Sequence, residues 1–132
     1  MPLQKVLFVC LGNACRSQMA EGFARAYGKD VIAPASAGLA PAIAVPIQTR
    51  QAMAEKNLDI SDQFPKPVSA FQQGHFDRVF NMSGYPVPSF PSATEWIVQD
   101  PIGGTPGEYR AVRDQIEQLV MKLILELRRT NQ

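Results

Sequence analysis

A continuous apolar run near the start of the chain, Lys5 to Cys10 (KVLFVC), restricts the fold more than any other feature. An uninterrupted run rich in Val and Phe is typical of a strand that is covered on both faces, as in a parallel sheet. The run stops at a short Gly-Asn turn, and from Arg16 to Tyr27 apolar residues recur at the three- and four-residue spacing of a helix. The sequence therefore predicts a strand, a tight loop and a helix in succession.

The rest of the chain alternates between strand-like and helix-like segments. We predict further strands at Val31–Ala37, Arg78–Met82 and Glu95–Gln99, and further helices at Val45–Asn57, Val68–Gln73 and Glu108–Arg129. Pro34 favours an edge position for the second strand. Strands that alternate with helices are joined by right-handed parallel crossovers. We therefore predict an α/β three-layer sandwich, in which a four-stranded parallel sheet of flavodoxin-like topology carries helices on both faces.

Composition and charge argue against several classes of protein. The 132 residues match the size of one domain, so we expect residues 1–132 to form a single domain. Thirteen Lys and Arg residues against twelve Asp and Glu residues leave a net charge of +1, which argues against a nucleic-acid partner. No apolar run approaches the roughly 20 residues of a membrane helix, so no membrane partner is expected. Because the first strand begins within a few residues of Met1, we expect no signal peptide and a cytoplasmic location.

The segment from Cys10 to Ser17 (CLGNACRS) joins the first strand to the first helix, at the edge of the sheet where α/β proteins bind their ligands. A loop that ends on a helix N-terminus can turn its backbone N–H groups inward, and the helix dipole strengthens the resulting anion site. We expect six residues to line this oxyanion site: Leu11, Gly12, Asn13, Ala14, Cys15 and Ser17.

Two residues of the same loop carry the candidate chemistry. Cys10 lies at the base of the anion site, where the same electrostatic field favours the thiolate and makes the residue a nucleophile. Arg16 offers a planar fork that grips two oxygens of a tetrahedral anion, and Ser17 can donate a hydrogen bond to the thiolate. The alternative is that the C-x5-R spacing arises by chance and that Cys10 is an inert core residue.

Cys10 and Cys15 are the two cysteines of the chain, which also has a single histidine. These residues are too few for a disulfide framework or a structural zinc site, so we predict no metal and no cofactor. Because the two cysteines lie at opposite ends of one short loop, one hypothesis is that peroxide joins them in a reversible disulfide after modest rearrangement. The alternative is that Cys15 is a small buried filler.

Residues Val9 to Ser17 (VCLGNACRS) resemble the signature of the low-molecular-weight protein tyrosine phosphatases, C-x5-R-[ST]. Later segments, such as Trp96 to Pro101 (WIVQDP), are similar to the arsenate reductases built on the same fold. The resemblance implies that Cys10 attacks the central atom of the oxyanion, that Arg16 holds its oxygens, and that Asp100 assists the leaving group. Independently of the resemblance, Asp100 follows the last predicted strand, which places its carboxyl group at the same edge of the sheet.

The chain departs from both branches of the resemblance. Arsenate reductases of the thioredoxin-coupled kind carry relay cysteines after the third strand, where this chain has Asn81 to Tyr85 (NMSGY). Tyrosine phosphatases follow the Asp-Pro pair with aromatic residues, where this chain has Ile102 to Gly104. Asn13 and Glu21 resemble ligands of a potassium site in some arsenate reductases, but Lys66 stands in place of a carboxylate ligand. We therefore predict no potassium site.

These observations predict an enzyme that uses the Cys10 thiolate on a phosphate- or arsenate-type oxyanion. The main hypothesis is a phosphomonoester hydrolase of the protein-tyrosine-phosphatase type, because a phosphocysteine mechanism requires only Cys10, Arg16, Asp100 and water. A phosphotyrosine protein is then the candidate partner. The alternative is an arsenate reductase that is regenerated by an external small thiol or a glutaredoxin. A third class, an anion-binding regulatory module, would need the loop but not a competent Cys10.

Overall fold

The computed structural model describes residues 2–131. Its elements follow in the order β1 (Gln4–Cys10), α1 (Arg16–Tyr27), β2 (Ile32–Gly38), α2 (Ile47–Ala54), a 3₁₀ turn (Val68–Ala70), β3 (Arg78–Asn81), β4 (Thr94–Glu95) and α3 (Pro106–Thr130). The strand, loop and helix predicted at the start of the chain are confirmed, with α1 at the predicted residues.

All four strands are parallel and lie in the order β2-β1-β3-β4. β2 occupies an edge of the sheet, as Pro34 predicts, and β1 lies inside it. Cys10 pairs with Gly38 of β2, and Val9 pairs with Asn81 of β3. The carboxyl ends of these three strands therefore meet at one edge, where the loop after β1 begins. The predicted α/β fold with a four-stranded parallel sheet is confirmed.

Alternate residues of β1 face opposite sides of the sheet, and each side has its own hydrophobic cluster. Val6 and Phe8 belong to the larger cluster, which includes buried residues of α1, α2 and α3. Leu7 and Val9 belong to the smaller cluster, which contains residues of the 3₁₀ turn and of the proline-rich segment between β3 and β4. The sheet is therefore covered on both faces, as predicted, but the helical cover of the second face is a single turn.

The fourth strand is shorter than the sequence pattern predicts. The pattern covers Glu95–Gln99, whereas β4 comprises only Thr94–Glu95. The ladder with β3 continues to the backbone N–H of Trp96, which donates to the carbonyl group of Asn81 at 2.9 Å. Beyond this bond the chain leaves the sheet. The carbonyl group of Val98 accepts a hydrogen bond from the buried Arg16 side chain and not from the backbone of a neighbouring strand.

Two helices are also shorter than predicted. The Val45–Asn57 pattern forms α2 only over Ile47–Ala54, and Asn57 adopts a left-handed conformation (φ 60°) that does not continue a helix. The Val68–Gln73 pattern forms only the 3₁₀ turn, since Phe71 returns to an extended conformation (φ −116°, ψ 141°).

The last helix, α3, begins at a capping box between Thr105 and Glu108. The buried side chains of α3 lie in the larger hydrophobic cluster together with those of α1, and the two helices approach each other closely. A Cβ atom at Gly28, which ends α1, would lie 3.0 Å from the Ile124 side chain. Within residues 2–131, no helix combines the length and the apolar character that crossing a membrane would need.

Candidate active site

The loop between β1 and α1 turns its carbonyl groups outward. The first three carbonyl oxygens accept backbone N–H groups of the segment after β2: Cys10 from Leu39 at 3.2 Å, Leu11 from Ala40 at 2.8 Å and Gly12 from Ala42 at 2.9 Å. The next three accept from α1 and α2: Asn13 from Gln18 Nε2 at 2.9 Å, Ala14 from Thr49 Oγ1 at 3.0 Å and Cys15 from the Met19 N–H at 2.9 Å. Each of these successive carbonyl groups is thus bound by a partner outside the loop.

The outward carbonyl groups determine where the backbone N–H groups of the loop point. In a trans peptide, the N–H group of each residue points opposite to the carbonyl group of the residue before it. The N–H groups of residues 11–16 therefore point into the loop, at the N-terminus of α1, whose first turn contains no acidic residue. Inward N–H groups and a helix N-terminus together attract an anion. The geometry supports the predicted oxyanion site, which is built from the backbone of Leu11 to Cys15.

Two residues give the loop its shape. Asn13 has a φ of 49°, in the left-handed region that Asn tolerates better than most other residues with a Cβ atom. Gly38, at the end of β2, lies so close to the loop that a Cβ atom there would be 2.8 Å from the backbone nitrogen of Asn13. A larger residue at position 38 would push the loop away from the sheet.

The Cys10 thiol is buried at the start of the loop, 2.9 Å from the hydroxyl oxygen of Ser17. Asn13 Nδ2 donates to the same oxygen at 2.7 Å, so the hydroxyl hydrogen of Ser17 is left for the sulfur. Asn13 Oδ1 accepts the backbone N–H of Lys66 at 2.8 Å, which fixes the orientation of the amide. A donor aimed at the sulfur stabilises the thiolate, the form that a nucleophile at this position needs.

Arg16 is buried, and carbonyl groups from two other segments hold its guanidinium group. Nη1 donates to the carbonyl oxygens of Met82 and Val98, at 2.5 and 3.1 Å, and Nη2 lies 3.5 Å from Asp100 Oδ2. The Arg16 side chain is only 6% exposed, whereas that of Asp100 is 40% exposed. The guanidinium fork is thus held at the carboxyl edge of the sheet, and the Asp100 carboxyl group beside it is accessible to water.

The structure brings the three predicted catalytic residues into one place. Cys10 and Arg16 lie at the two ends of the loop, and Asp100 joins them through its ion pair with Arg16. Sequence reasoning missed Gln18 and Thr49, which bind the loop carbonyl groups. The sequence contains an indication of the role of Gln18, since this polar residue lies in the first turn of the helix that follows the loop. The sequence contains no such indication for Thr49, because 35 positions separate it from the carbonyl group that it binds.

Comparison with known families agrees with this geometry. The family model described as low molecular weight phosphotyrosine protein phosphatase matches residues 5–132, nearly the whole chain. The chain belongs to this family.

Within the low molecular weight phosphatase family, the chain is similar to several arsenate reductases. The chain is 36% identical over 131 residues to the glutaredoxin arsenate reductase of Synechocystis sp., a match that covers 95% of this chain and 99% of the relative. It is 32% identical over 123 residues to arsenate reductase 2 of Bacillus cereus, covering 89% and 91%. A solved structure of an arsenate reductase in the phosphate binding state superposes with a TM-score of 0.87 at 36% identity, covering 95% and 99%. Both the family resemblance and the fold prediction are confirmed.

In this member of the phosphatase family, the segment after β3 is a polar turn. Asn81 Oδ1 accepts from the backbone N–H and the hydroxyl group of Ser83, at 2.9 and 2.6 Å. Asn81 Nδ2 donates to the carbonyl group of Tyr85 at 2.8 Å, and the Tyr85 N–H donates back to Ser83 Oγ at 3.0 Å. Gly84 takes the left-handed position that the turn requires (φ 79°). Hydrogen-bonded Asn and Ser side chains thus occupy the segment where the resemblance places relay thiols.

Cys15 is buried, and burial raises the pKa of its thiol to about 12. Its sulfur contacts the Met19 sulfur at 3.8 Å, within the larger hydrophobic cluster. At pH 7 a thiol with this pKa is ionised to only about one part in 10⁵, so it is a poor attacking group. These contacts favour the interpretation of Cys15 as a buried filler, and its disulfide with Cys10 stays a prediction.

We expect Cys15→Ala to keep most of the wild-type turnover and to recover from mild peroxide as fully as wild type once a reductant is added. The reason is that a protonated, buried Cys15 cannot trap an oxidised Cys10 quickly. Activity assays and mass spectrometry of the loop peptide check this expectation. A Cys10–Cys15 disulfide in the wild type, together with irreversible oxidation of Cys10 in the variant, would instead establish the protective disulfide.

We expect Asp100→Asn to lower turnover by roughly 10²- to 10⁴-fold for a phosphate ester with a poor leaving group, such as phenyl phosphate. With p-nitrophenyl phosphate, whose leaving group needs no proton, the loss should be small. The comparison requires kcat for both esters, with the exposed carboxylate variant Asp62→Asn as the matched control. Equal losses for the two esters would mean that Asp100 only holds Arg16 in place.

Proposed function

We propose that this chain reduces arsenate to arsenite, with Cys10 as the nucleophile and an external thiol as the reductant. The observation that carries the proposal is full-length similarity to arsenate reductases, one of them 36% identical across 95% of this chain. The comparisons favour this reaction over phosphomonoester hydrolysis, the main hypothesis from the sequence. The loop geometry supports both reactions, because each starts with attack of Cys10 on a tetrahedral oxyanion.

In the first step, the Cys10 thiolate forms an S–As bond and one As–O bond breaks. The departing oxygen leaves as water once it has received a proton. The backbone N–H groups of residues 11–16 and the Arg16 guanidinium stabilise the negative charge on the remaining oxygens. The carboxyl group of Asp100, 3.5 Å from Arg16 and open to water, is the group placed to take a proton from solvent and pass it to the departing oxygen. Arsenic is still As(V) in this adduct.

In the second step, an external thiol attacks the Cys10 sulfur. An S–S bond forms, the S–As bond breaks, and its electron pair stays on arsenic, which leaves as arsenite, As(III). A second external thiol then cleaves the mixed disulfide and restores the Cys10 thiol. Two thiols are oxidised to one disulfide, and they supply the two electrons that arsenic accepts.

We propose an external reductant because burial makes the second cysteine of the chain a poor attacking thiol. The two cysteines are Cys10 and Cys15, and the pKa of Cys15 is raised by burial to about 12. A small thiol such as glutathione, or a glutaredoxin, is the partner that we propose. We place the reaction in the cytoplasm, where such thiols are kept reduced. We also propose residues 1–132 as one catalytic domain, because β1 contributes to both hydrophobic clusters.

A second candidate, phosphomonoester hydrolysis, is favoured by one specific observation. The segment Asn81–Tyr85 is a hydrogen-bonded turn without a thiol, whereas Cys10, Arg16 and Asp100 are sufficient for attack, charge stabilisation and protonation of a leaving group. Water would then take the place of the thiol and hydrolyse a phosphocysteine intermediate. A phosphotyrosine protein is the substrate class for this candidate.

The test of the proposed function measures both reactions with the same purified protein. Arsenite is measured with arsenate and glutathione, with and without a glutaredoxin, and phosphate release is measured with p-nitrophenyl phosphate. We expect thiol-dependent arsenite formation that is lost in Cys10→Ser and kept in Cys15→Ala. Hydrolysis of the ester with no arsenite under either thiol condition would overturn the proposal and leave the second candidate.

A further inference from the structure

Glu21 of α1 is a buried carboxylate beside the loop, 4% exposed. Ser36 Oγ donates to its Oε1 at 2.5 Å, and Arg25 forms an ion pair with its Oε2. Lys66 Nζ lies 3.9 Å from Oε1. The Lys66 side chain is 20% exposed and the Arg25 side chain 53%, so Lys66 is the better shielded of the two cations. A buried carboxylate is costly without such partners.

The backbone of Lys66 connects the loop to the sheet. Its N–H donates to Asn13 Oδ1 at 2.8 Å, and its carbonyl oxygen accepts the N–H of Gly38 at 2.8 Å. Its ammonium group also donates to the carbonyl oxygen of Phe64 at 2.8 Å. Lys66 therefore contacts the loop and the end of β2 through its backbone, and α1 through its side chain.

The residues around Glu21 do not fit a potassium ion, although the resemblance associates Asn13 and Glu21 with such a site in some arsenate reductases. Two cationic side chains already balance the single charge of Glu21. Asn13 Oδ1 is bound by the Lys66 N–H, and the Ser36 hydroxyl hydrogen points to Glu21. A further cation would meet two positive charges and would have to displace these donors from the oxygens.

We propose that the Lys66 ammonium group is the built-in counter-cation of Glu21 and that Lys66 is a positioning residue for the nucleophile. Anchored by Glu21, the Lys66 backbone fixes the Asn13 amide. Asn13 in turn leaves the Ser17 hydroxyl hydrogen for the Cys10 sulfur. The loop then needs no bound monovalent cation. This inference does not depend on which reaction the protein catalyses.

The first experiment compares melting temperatures in KCl, NaCl and choline chloride at equal ionic strength. We expect the wild-type values to agree within about 1 °C, a difference too small to represent a bound ion. In Lys66→Asp, the new carboxylate faces that of Glu21, so the melting temperature should fall in choline chloride. It should rise again in KCl by about 3 °C or more, because K⁺ can bind between the two carboxylates. A wild-type protein that KCl stabilises by this amount over choline chloride would overturn the proposal.

The second experiment tests positioning, with a Cys15→Ala background so that a single thiol reacts. We expect Lys66→Met to slow iodoacetamide alkylation of Cys10 by about tenfold, because the donor to the thiolate is no longer held in place. Lys66→Arg should restore the rate, and Lys29→Met, which removes an exposed charge elsewhere, should not change it. An unchanged alkylation rate in Lys66→Met, with or without a lower melting temperature, would show that Lys66 does not position the nucleophile.

Discussion

Cys10→Ser is expected to lower turnover by about 10⁴-fold or more while leaving oxyanion affinity within about threefold of wild type. Turnover is lost because a serine hydroxyl at this position has no base to activate it. Affinity is kept because the inward N–H groups of residues 11–16 and the Arg16 guanidinium bind the anion without the sulfur. Steady-state kinetics with arsenate and calorimetry with inorganic phosphate measure the two effects separately.

The matched control for this variant is Cys15→Ala, which removes the other thiol of the loop. It should retain most of the activity, since Cys15 is buried and its pKa is raised by burial. Residual activity of Cys10→Ser above a tenth of wild type would show that Cys10 is not the nucleophile. A parallel loss of phosphate binding would mean that the variant had disrupted the loop.

Arg16→Lys is expected to lower kcat/KM by roughly 10²- to 10³-fold, or about 2.7 to 4 kcal/mol of transition-state stabilisation. The charge is kept, but an ammonium group cannot reproduce the planar fork that grips two oxygens at once. Arg16 also uses two nitrogens for its contacts: Nη1 binds the Met82 and Val98 carbonyl groups, and Nη2 lies 3.5 Å from Asp100. A lysine has a single terminal nitrogen and cannot make all of these contacts. Kinetics with arsenate and with p-nitrophenyl phosphate should give similar losses, because both anions are tetrahedral.

Arg129→Lys provides the control for a conservative change at an exposed arginine, and it should have no effect. If Arg16→Lys retained wild-type kcat/KM for both substrates, Arg16 would be only a buried residue of α1. The oxyanion would then have to be held by the backbone alone.

The part of the site that the sequence predicts well is local. β1, the loop and α1 are consecutive, and the apolar run of KVLFVC followed by helical spacing predicts all three elements. Cys10 and Arg16 therefore lie where the pattern places them, at the ends of a loop on the carboxyl edge of the sheet. Local patterns specify such units because the spacing of apolar residues within one segment is enough to indicate a strand or a helix.

The part that the sequence does not predict depends on long-range contacts. Thr49 lies in a predicted helix, but helical spacing does not indicate that its hydroxyl group binds a loop carbonyl group, and no periodic pattern marks the segment after β2. The same is true of Val98, whose carbonyl group binds Arg16 because the chain leaves β4 earlier than the pattern indicates. Asp100 reaches Arg16 through this irregular segment, so its position had to be inferred from its place after the last strand and from the family resemblance.

The most direct test of the account is mass spectrometry of the wild-type protein, quenched after mixing with arsenate and glutathione in the absence of a glutaredoxin. If Cys10 attacks arsenate and an external thiol then attacks Cys10, glutathione should be found on Cys10, and fragment ions should exclude it from Cys15. The modified fraction should require arsenate and should accompany the release of arsenite. Glutathione on Cys10 to the same extent without arsenate, or an equal release of arsenite by Cys10→Ser, would contradict the account.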